Sequence, residues 1–131
     1  MIKSIIVFGI ILFGVLNIYV RMSKIDPQNF HLITEFKENA DTTEGVFRSI
    51  ASGDMATLVA RVQATPRTTR LAGQVEDGKM TFVTRSLIWG FPDITTIWQD
   101  KDKIKIHARQ RFGLYDFGVN AKRVDAWLAS L

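Results

Sequence analysis

The clearest chemical pattern in the chain is the run "KIKIHARQRF", residues 103–112. Its apolar residues alternate with Lys105, His107, Arg109 and Arg111. A period of two is typical of a β-strand, because successive side chains point to opposite faces of the sheet. The pattern therefore predicts a row of basic groups on one sheet face. Guanidinium groups bind phosphate and carboxylate through paired hydrogen bonds, so this row is a candidate anion-binding surface.

Further basic and polar side chains are expected close to this row. Arg85, on a neighbouring predicted strand, joins the row if the sheet register allows it. The first turn of the last predicted helix carries Lys122 and Arg123, although a helix N-terminus is already electropositive. An anion bound there would stabilise both cations, because free backbone N–H groups and arginines together suit phosphate or carboxylate. The candidate anion-binding residues are Arg85, Arg109, Arg111, Asn120, Lys122 and Arg123.

Internal ion pairing explains the same charges without a ligand. Asp116 or Asn120 can cap the last helix. Asp93 and Asp116 can neutralise two arginines, and the first-turn cations then point into water. The two explanations differ in what removal of an arginine does: it abolishes ligand binding in one case and lowers the melting temperature in the other. Both stay open at the level of sequence.

Catalytic chemistry has less support in the sequence. The chain has no cysteine and two histidines, His31 and His107, so thiol nucleophiles are excluded and neither a metal nor a cofactor is predicted. The sequence contains no HExxH or GxSxG motif and no glycine-rich phosphate loop. The remaining catalytic hypothesis is a small hydrolase or isomerase in which His107 acts with Asp93 or Asp116.

The loop "IWGFPD", residues 88–93, is a candidate interaction surface. Trp89 and Phe91 flank a glycine at its tip. Such an apolar tip can enter a bilayer interface or contact a partner protein. The alternative is that both rings fold over the end of the core.

Residues 1–21 are predicted to form a transmembrane anchor. No polar residue occurs from Ile5 to Leu16, and nineteen helical residues span roughly 28 Å, close to the ~30 Å hydrocarbon core of a bilayer. A cleaved signal peptide would have a shorter apolar region and small residues at its exit, whereas this segment continues as "NIYVRMSK". We therefore expect a single-pass protein of a bacterial inner membrane, with its domain in the periplasm.

The charge distribution supports this division of the chain. Three of the 17 Lys and Arg residues, Lys3, Arg21 and Lys24, flank the apolar segment. The rest of the chain is nearly charge-balanced, although the formal net charge is +4. A balanced domain has little long-range attraction for a polyanion, so nucleic acid is not an expected partner.

Residues 22–52 are predicted to be a partly docked connector, and residues 53–131 the folded domain. A helix at 54–64, capped by Asp54 or Ser52, begins the domain. Asp77-Gly78 is a hairpin-turn signal between the first two strands. Four strands and a last helix are predicted at residues 68–76, 80–88, 93–99, 104–112 and 119–131. The predicted fold is α+β: an N-terminal transmembrane helix, then a four-stranded antiparallel sheet with two helices (α-β-β-β-β-α) packed on one face.

Three strings of this sequence, "TFVTRSLIWGFPD", "KIHARQRFG" and "YDFGVNAKRVDAWL", resemble the domain-of-unknown-function family 1499. This is a group of small bacterial and some plastid proteins, often preceded by a lipobox or a single membrane helix. The similarity covers roughly residues 45–131 and includes the patterns R-S-x-x-x-G-F-x-D and R-x-G-x-x-D-x-G-V-N-x-x-R-V. The matching positions are Arg85, Ser86, Gly90, Phe91 and Asp93 for the first pattern, and Arg111, Gly113, Asp116, Gly118, Val119, Asn120, Arg123 and Val124 for the second.

The resemblance implies a fold and a membrane context, and it implies no reaction. Taken with the residue patterns, it leads us to expect a membrane-anchored, non-catalytic domain. The expected partner is a membrane protein complex or an anionic, lipid-like ligand. The small enzyme centred on His107 is the alternative.

Overall fold

The computed structural model describes residues 1–51 and 53–131. Its first element, helix α1 (Ile2–Met22), has 21 residues and is therefore about 31 Å long. The helix is long and apolar enough to cross a membrane. Its apolar side chains are largely exposed, except for Val20 near the C-terminal end, which is buried. The predicted apolar N-terminal helix is thus present, with one end in contact with the rest of the protein.

Three further helices and six strands follow. The helices are α2 (Pro27–Phe30), α3 (Met55–Ala64) and α4 (Val119–Ala129). The strands are β1 (Ala40–Asp41), β2 (Gly45–Ala51), β3 (Thr68–Gln74), β4 (Lys79–Arg85), β5 (Pro92–Asp100) and β6 (Lys103–Gln110). The carboxylate of Asp54 accepts a hydrogen bond from Ala56 N at 3.0 Å and so caps α3. Ser52, the alternative cap, lies outside the described residues.

The strands form one antiparallel sheet in the order β1-β2-β6-β5-β4-β3. This confirms the α+β class, but the prediction of four strands is wrong, because two strands precede α3. Both come from residues 40–51, within the range predicted as connector. Gly45 of β2 pairs with Arg109, and Ala51 pairs with Lys103. A strand that pairs with a distant partner leaves no hairpin signal in the sequence, and this pairing was missed for that reason.

One face of the sheet packs against α3 and α4. The alternate β6 residues Ile104, Ile106 and Ala108 lie in the core on this face. The helices contribute buried residues at helical spacing: Met55, Leu58, Val59 and Val62 from α3, and Val124 and Trp127 from α4. These apolar stripes attach both helices to the sheet, since burial of an aliphatic side chain contributes about 1.5–3 kcal/mol.

The segment between α1 and β1 crosses the opposite face of the sheet. The ring of Phe36 lies 5.0 Å from that of Phe47 and 5.9 Å from that of Trp98, measured between centroids. His31 Nδ1 lies 2.8 Å from Thr81 Oγ1. Because this segment covers the strands, Trp98 and Thr81 are buried although α3 and α4 lie on the other side.

Candidate functional site

Strand β6 presents its basic residues to the face that the segment between α1 and β1 covers. Lys105 forms ion pairs there with Asp100, at 2.7 Å, and with Glu35, at 3.2 Å. Its side chain is mostly buried. The first member of the predicted basic row is therefore already neutralised by two carboxylates.

His107 is enclosed in the same face. Its ring stacks on Phe47 with 4.1 Å between centroids, and its Nδ1 lies 3.3 Å from Arg109 Nη1. Burial, and secondarily the charge of Arg109, lower the pKa of His107 to about 4. The imidazole is consequently neutral at physiological pH, which suits a packed aromatic residue in this position.

The hypothesised catalytic partners of His107 lie on the other side of the sheet. Asp93 pairs with Gln110 of β6. Gln110 lies two residues after the core residue Ala108, so Asp93 lies on the sheet face that α3 and α4 cover. Its carboxylate accepts a hydrogen bond from Arg123 of α4. Asp116 caps that same helix through its hydrogen bond with Asn120 N. The structure does not bring His107 together with either carboxylate.

Arg109 and Arg111 donate hydrogen bonds to the backbone that crosses their face. Arg109 Nη2 donates to the carbonyl of Phe30 at 3.1 Å, and burial lowers the pKa of Arg109. Arg111 Nη1 donates to the carbonyl of Lys24 at 2.7 Å. The Arg111 guanidinium also lies 5.4 Å from the ring centroid of Phe30. Both side chains thus attach the segment after α1 to the sheet, and α1 is attached with it.

Three arginines meet where α1 ends, and we call Arg21, Arg85 and Arg111 the arginine cluster. Arg85 Nη1 donates to the carbonyl of Gly90 at 2.9 Å. A Cβ atom at Gly90 would lie 2.7 Å from Arg21 Cζ, so the guanidinium groups of Arg21 and Arg85 both lie against this glycine. Burial lowers the pKa of Arg85, and the charges of Arg21 and Arg111 lower it further. Within residues 1–51 and 53–131, none of the three forms an ion pair with a carboxylate.

The start of α4 is neutralised from within the protein. Asp116 accepts hydrogen bonds from Gly118 N at 2.9 Å and from Asn120 N at 3.1 Å, which caps the helix. Arg123 Nη1 donates to Asp93 Oδ2 at 3.1 Å and to Asn120 Oδ1 at 3.2 Å. The carboxylates of Asp116 and Asp93 therefore stabilise a helix N-terminus that carries a cation in its first turn.

The six residues predicted to bind an anion do not converge on one site. Arg109 lies under the segment after α1, and Lys122 is exposed on α4. Asn120 and Arg123 contact the two carboxylates at the start of α4. Arg85 and Arg111 belong to the arginine cluster, whose third member, Arg21, was predicted as a flank of the apolar segment.

Two loops form an apolar surface at this end of the sheet, which we call the apolar end. They follow β4 and β6, whose last residues both lie beside the start of β5. The side chains of Leu87, Leu114 and Phe117 are 69%, 91% and 84% exposed. The apolar end comprises Leu87, Ile88, Trp89, Leu114, Tyr115 and Phe117.

The predicted interface residues Trp89 and Phe91 lie at the junction between α1 and this end. The ring of Trp89 lies 4.8 Å from that of Phe13 in α1, in a T-shaped arrangement, and 5.9 Å from that of Phe91. Asn17 Nδ2 of α1 donates to the carbonyl of Ile88 at 2.7 Å. The loop after β4 is therefore held along the side of α1.

A cavity of about 290 Å³ lies between the two loops, beside the start of α4. It is lined by Ser86, Phe91, Asp93, Gln110, Phe112, Gly113, Tyr115, Asp116, Phe117 and Val119. Most of the lining is apolar, with a few polar groups, which is the usual composition of a ligand site. The sequence pointed to Asp93, Asp116 and Phe91 as candidates but did not predict the cavity. Several other lining residues occupy positions of the two motif patterns quoted above.

The polar side chains that line the cavity differ in their hydrogen bonding and in their electrostatic surroundings. Burial raises the pKa of Asp93, and the nearby Asp116 raises it further, against the opposing effect of Arg123. Ser86 Oγ accepts a hydrogen bond from Phe91 N at 3.0 Å. Gln110 Nε2 is buried without a hydrogen-bond partner among the described residues. The cavity is thus lined by a carboxylate whose charged form is disfavoured, while the unpartnered amide nitrogen of Gln110 is buried and not exposed in the cavity.

No group of three or more His, Cys, Asp or Glu side chains in the described part of the chain is arranged to hold a metal ion. The chemistry that this end of the sheet offers consists of guanidinium groups, a largely apolar cavity with a few polar groups, and exposed apolar side chains.

Comparison with known proteins assigns a family to most of the chain. The family model described as "Protein of unknown function (DUF1499)" matches residues 21–131. The match confirms the resemblance seen in the motifs, and it extends upstream of residue 45 to include the segment that crosses the sheet. No curated protein and no solved structure matches the chain. The matched residues include every strand and the helices α2, α3 and α4, and the chain accordingly belongs to the DUF1499 family.

Proposed function

We propose that the protein is a membrane-anchored, non-catalytic domain that binds the headgroup of an anionic lipid at the bilayer surface. The observation that carries this proposal is the arginine cluster. Three guanidinium groups lie at the end of an apolar helix of membrane length, beside exposed apolar side chains, without carboxylate partners among the described residues.

The anchor follows from the length and surface of α1. A helix of about 31 Å matches the ~30 Å hydrocarbon core, and its exposed side chains from Ile5 to Leu16 are apolar apart from glycine. Exposed apolar area of this extent is unfavourable in water and favourable in lipid. The positively charged Arg21 and Lys24 then lie at the headgroup level.

The apolar end is positioned by its contacts with α1. Phe13 lies eight residues before Arg21, which is about 12 Å along the helix axis. Because Trp89 packs on Phe13, the loop after β4 extends beside α1 into the leaflet when Arg21 lies at its surface. The ring of Trp89 contributes apolar area that is favourable in the hydrocarbon region.

An anionic headgroup complements the arginine cluster. Arg85 is partly buried and close to two other cations, so its charged form is disfavoured in the absence of an anion. A phosphate group would relieve this repulsion and accept charge-assisted hydrogen bonds. Because the rest of the domain is nearly charge-balanced, the attraction for an anionic headgroup comes from the arginine cluster.

We place the domain on the periplasmic side of a bacterial inner membrane. The membrane context that the family resemblance implies supports the membrane part of this proposal, and the following labelling experiment tests the side. In a bacterial host, Asp102→Cys in the exposed turn after β5 should react with a membrane-impermeant maleimide in intact cells. Labelling that requires cell lysis would place the domain in the cytoplasm.

The lipid proposal is tested with the full chain in nanodiscs of phosphatidylcholine and phosphatidylglycerol. Native mass spectrometry after detergent exchange should show preferential retention of phosphatidylglycerol. Arg85→Gln should weaken this retention about fivefold, since one basic residue near a membrane surface contributes about 1 kcal/mol. The matched control is Arg70→Gln, because Arg70 is exposed on β3, away from the cluster.

Two results would overturn the proposal. One is equal retention of both lipids by the unaltered protein. The other is the stoichiometric recovery of a membrane protein from native membranes with no bound phospholipid, which would make the apolar end a protein-docking surface.

A further inference from the structure

We infer that the cavity beside α4 binds the uncharged, hydroxyl-bearing head of a single-chain membrane amphiphile such as a monoacylglycerol. The ligand enters from the apolar end, with its acyl chain directed toward the exposed aromatic residues. The path of entry depends on the anchored orientation proposed above. The fit between the cavity and the headgroup does not.

The walls of the cavity suit the apolar part of such a ligand. Phe91 and Phe112 line it, with 6.4 Å between their ring centroids. Phe117, at the rim, is 84% exposed and has a φ angle of +55°. This left-handed conformation is unfavourable for a residue with a side chain. It places an aromatic ring in an exposed position where an acyl chain would cover it.

The floor of the cavity carries a complementary polar group. The Asp93 side chain is 16% exposed, so its carboxylate can be reached from the cavity. It receives one charged hydrogen bond, from Arg123, and retains lone pairs for a ligand hydroxyl. A hydroxyl that donates to this carboxylate would form a charge-assisted hydrogen bond, which is stronger than a neutral one.

The local charge selects a neutral head over an anionic one. Two carboxylates, Asp93 and Asp116, line the cavity, and one of them pairs with the single cation Arg123. A fatty-acid carboxylate would add a third negative charge at a site where burial already disfavours ionisation of Asp93. The arginine cluster has the opposite preference. The two adjacent sites therefore discriminate between lipid classes by charge.

The test uses the full chain in dodecyl maltoside micelles with two photoreactive probes. One is a monoacylglycerol with a diazirine in its acyl chain, and the other is the corresponding free fatty acid. The monoacylglycerol should label the peptide that contains residues 110–119, and the fatty acid should label it much less at pH 8. Equal labelling by the two probes, or labelling spread evenly along the domain, would overturn the inference.

One variant examines the cavity itself. Val119→Trp, at a half-exposed position on the rim, should block the cavity and abolish monoacylglycerol labelling without disturbing the core. Labelling that is unchanged in this variant would contradict the inference.

The outcomes distinguish this inference from the proposed function. Arg85→Gln should leave monoacylglycerol labelling unchanged while phosphatidylglycerol retention falls. Labelling in micelles by a protein that retains no anionic lipid in nanodiscs would support the cavity and refute the arginine cluster as a lipid site. Retention of anionic lipid in nanodiscs without labelling in micelles would refute the cavity as a lipid site and would leave the arginine cluster supported.

Discussion

Phe13 of α1 and Trp89 of the loop after β4 meet edge to face, with 4.8 Å between their ring centroids. The contact joins the middle of the apolar helix to a loop that belongs to the sheet. The hydrogen bond from Asn17 Nδ2 to Ile88 O supports it on the same side of the helix. The domain is therefore attached to α1 along its side as well as through the chain, and in the proposed membrane orientation this sets which end of the sheet lies nearest the bilayer.

The first prediction concerns the depth of the apolar end. Because the chain has no cysteine, a single cysteine can carry an environment-sensitive fluorophore. A probe at Leu87→Cys should emit at shorter wavelength in nanodiscs than in buffer, and lipids spin-labelled on the acyl chain should quench it.

The matched control for depth is Asp102→Cys, at the opposite end of the sheet. This probe should show a water-like emission and little quenching. Equal quenching at the two positions would show that the domain does not rest on the bilayer by its apolar end.

The second prediction concerns acid stability. The pKa of His107 is about 4 in the folded protein because of burial and the charge of Arg109, against about 6.5 when unfolded. The unfolded state therefore binds the proton first, and the free energy of unfolding should fall by about 2 kcal/mol between pH 7.5 and pH 5. Chemical denaturation of the full chain in detergent, followed by the fluorescence of the buried Trp98, measures this dependence.

His107→Gln should flatten the pH dependence in this range. A smaller slope should remain, because burial and Lys79 also lower the pKa of His31. The double variant His31→Gln/His107→Gln should lose most of it. A slope that is unchanged in the double variant would show that neither imidazole is held in its neutral form.

The third prediction concerns the Asp93–Arg123 ion pair at the cavity. Arg123→Leu leaves the partly buried Asp93 without its cation and should destabilise the protein by about 2 kcal/mol at pH 7. Loss of the cation raises the pKa of Asp93 further. The destabilisation should therefore be larger at pH 7 than at pH 4, where more of the carboxyl group is protonated.

The double variant Asp93→Asn/Arg123→Leu separates charge from packing. It should regain most of the stability that Arg123→Leu loses, since it buries no unpaired charge. If the double variant is as unstable as Arg123→Leu, the arginine contributes through packing rather than through the ion pair.

The fourth prediction concerns the segment that covers the second sheet face. Phe36 packs on Phe47 and Trp98, and Phe36→Ala should cost about 2 kcal/mol, less than a fully buried phenylalanine would. Tryptophan emission, to which Trp98 contributes together with Trp89 and Trp127, should shift to longer wavelength as water reaches Trp98. Leu32→Ala, at a half-exposed position in the same segment, should change stability by less than about 0.5 kcal/mol.

The elements with strong local signals were predicted well from sequence. The helix α3, the hairpin at Asp77-Gly78 and the alternation along β6 all depend on residues close together in the chain. Strand β2 was missed because its partner, β6, lies far along the sequence and no turn connects them. Strand β1 has two residues, Ala40 and Asp41, which are too few to show any periodicity.

Two of the three arginines of the cluster were named from the sequence, and their binding of an anion stays a prediction. Arg85 and Arg111 were chosen for their charge, and they do lie close together. Arg21 was assigned to the anchor because of its position in the sequence, whereas its side chain lies at Gly90 and Arg85. The sequence contained no indication that Gln110 lacks a hydrogen-bond partner, because a residue type does not show whether its side-chain amide is satisfied.

The sequence by itself determined an apolar helix of membrane length, a two-faced antiparallel sheet and a supply of arginines. These properties follow from periodicity and composition, which are local. Tertiary structure decided which arginines remain without carboxylate partners, which face the segment after α1 covers, and that two loops enclose a cavity. Those outcomes depend on long-range strand register and on contacts between segments far apart in the chain, where small differences in packing free energy select one arrangement.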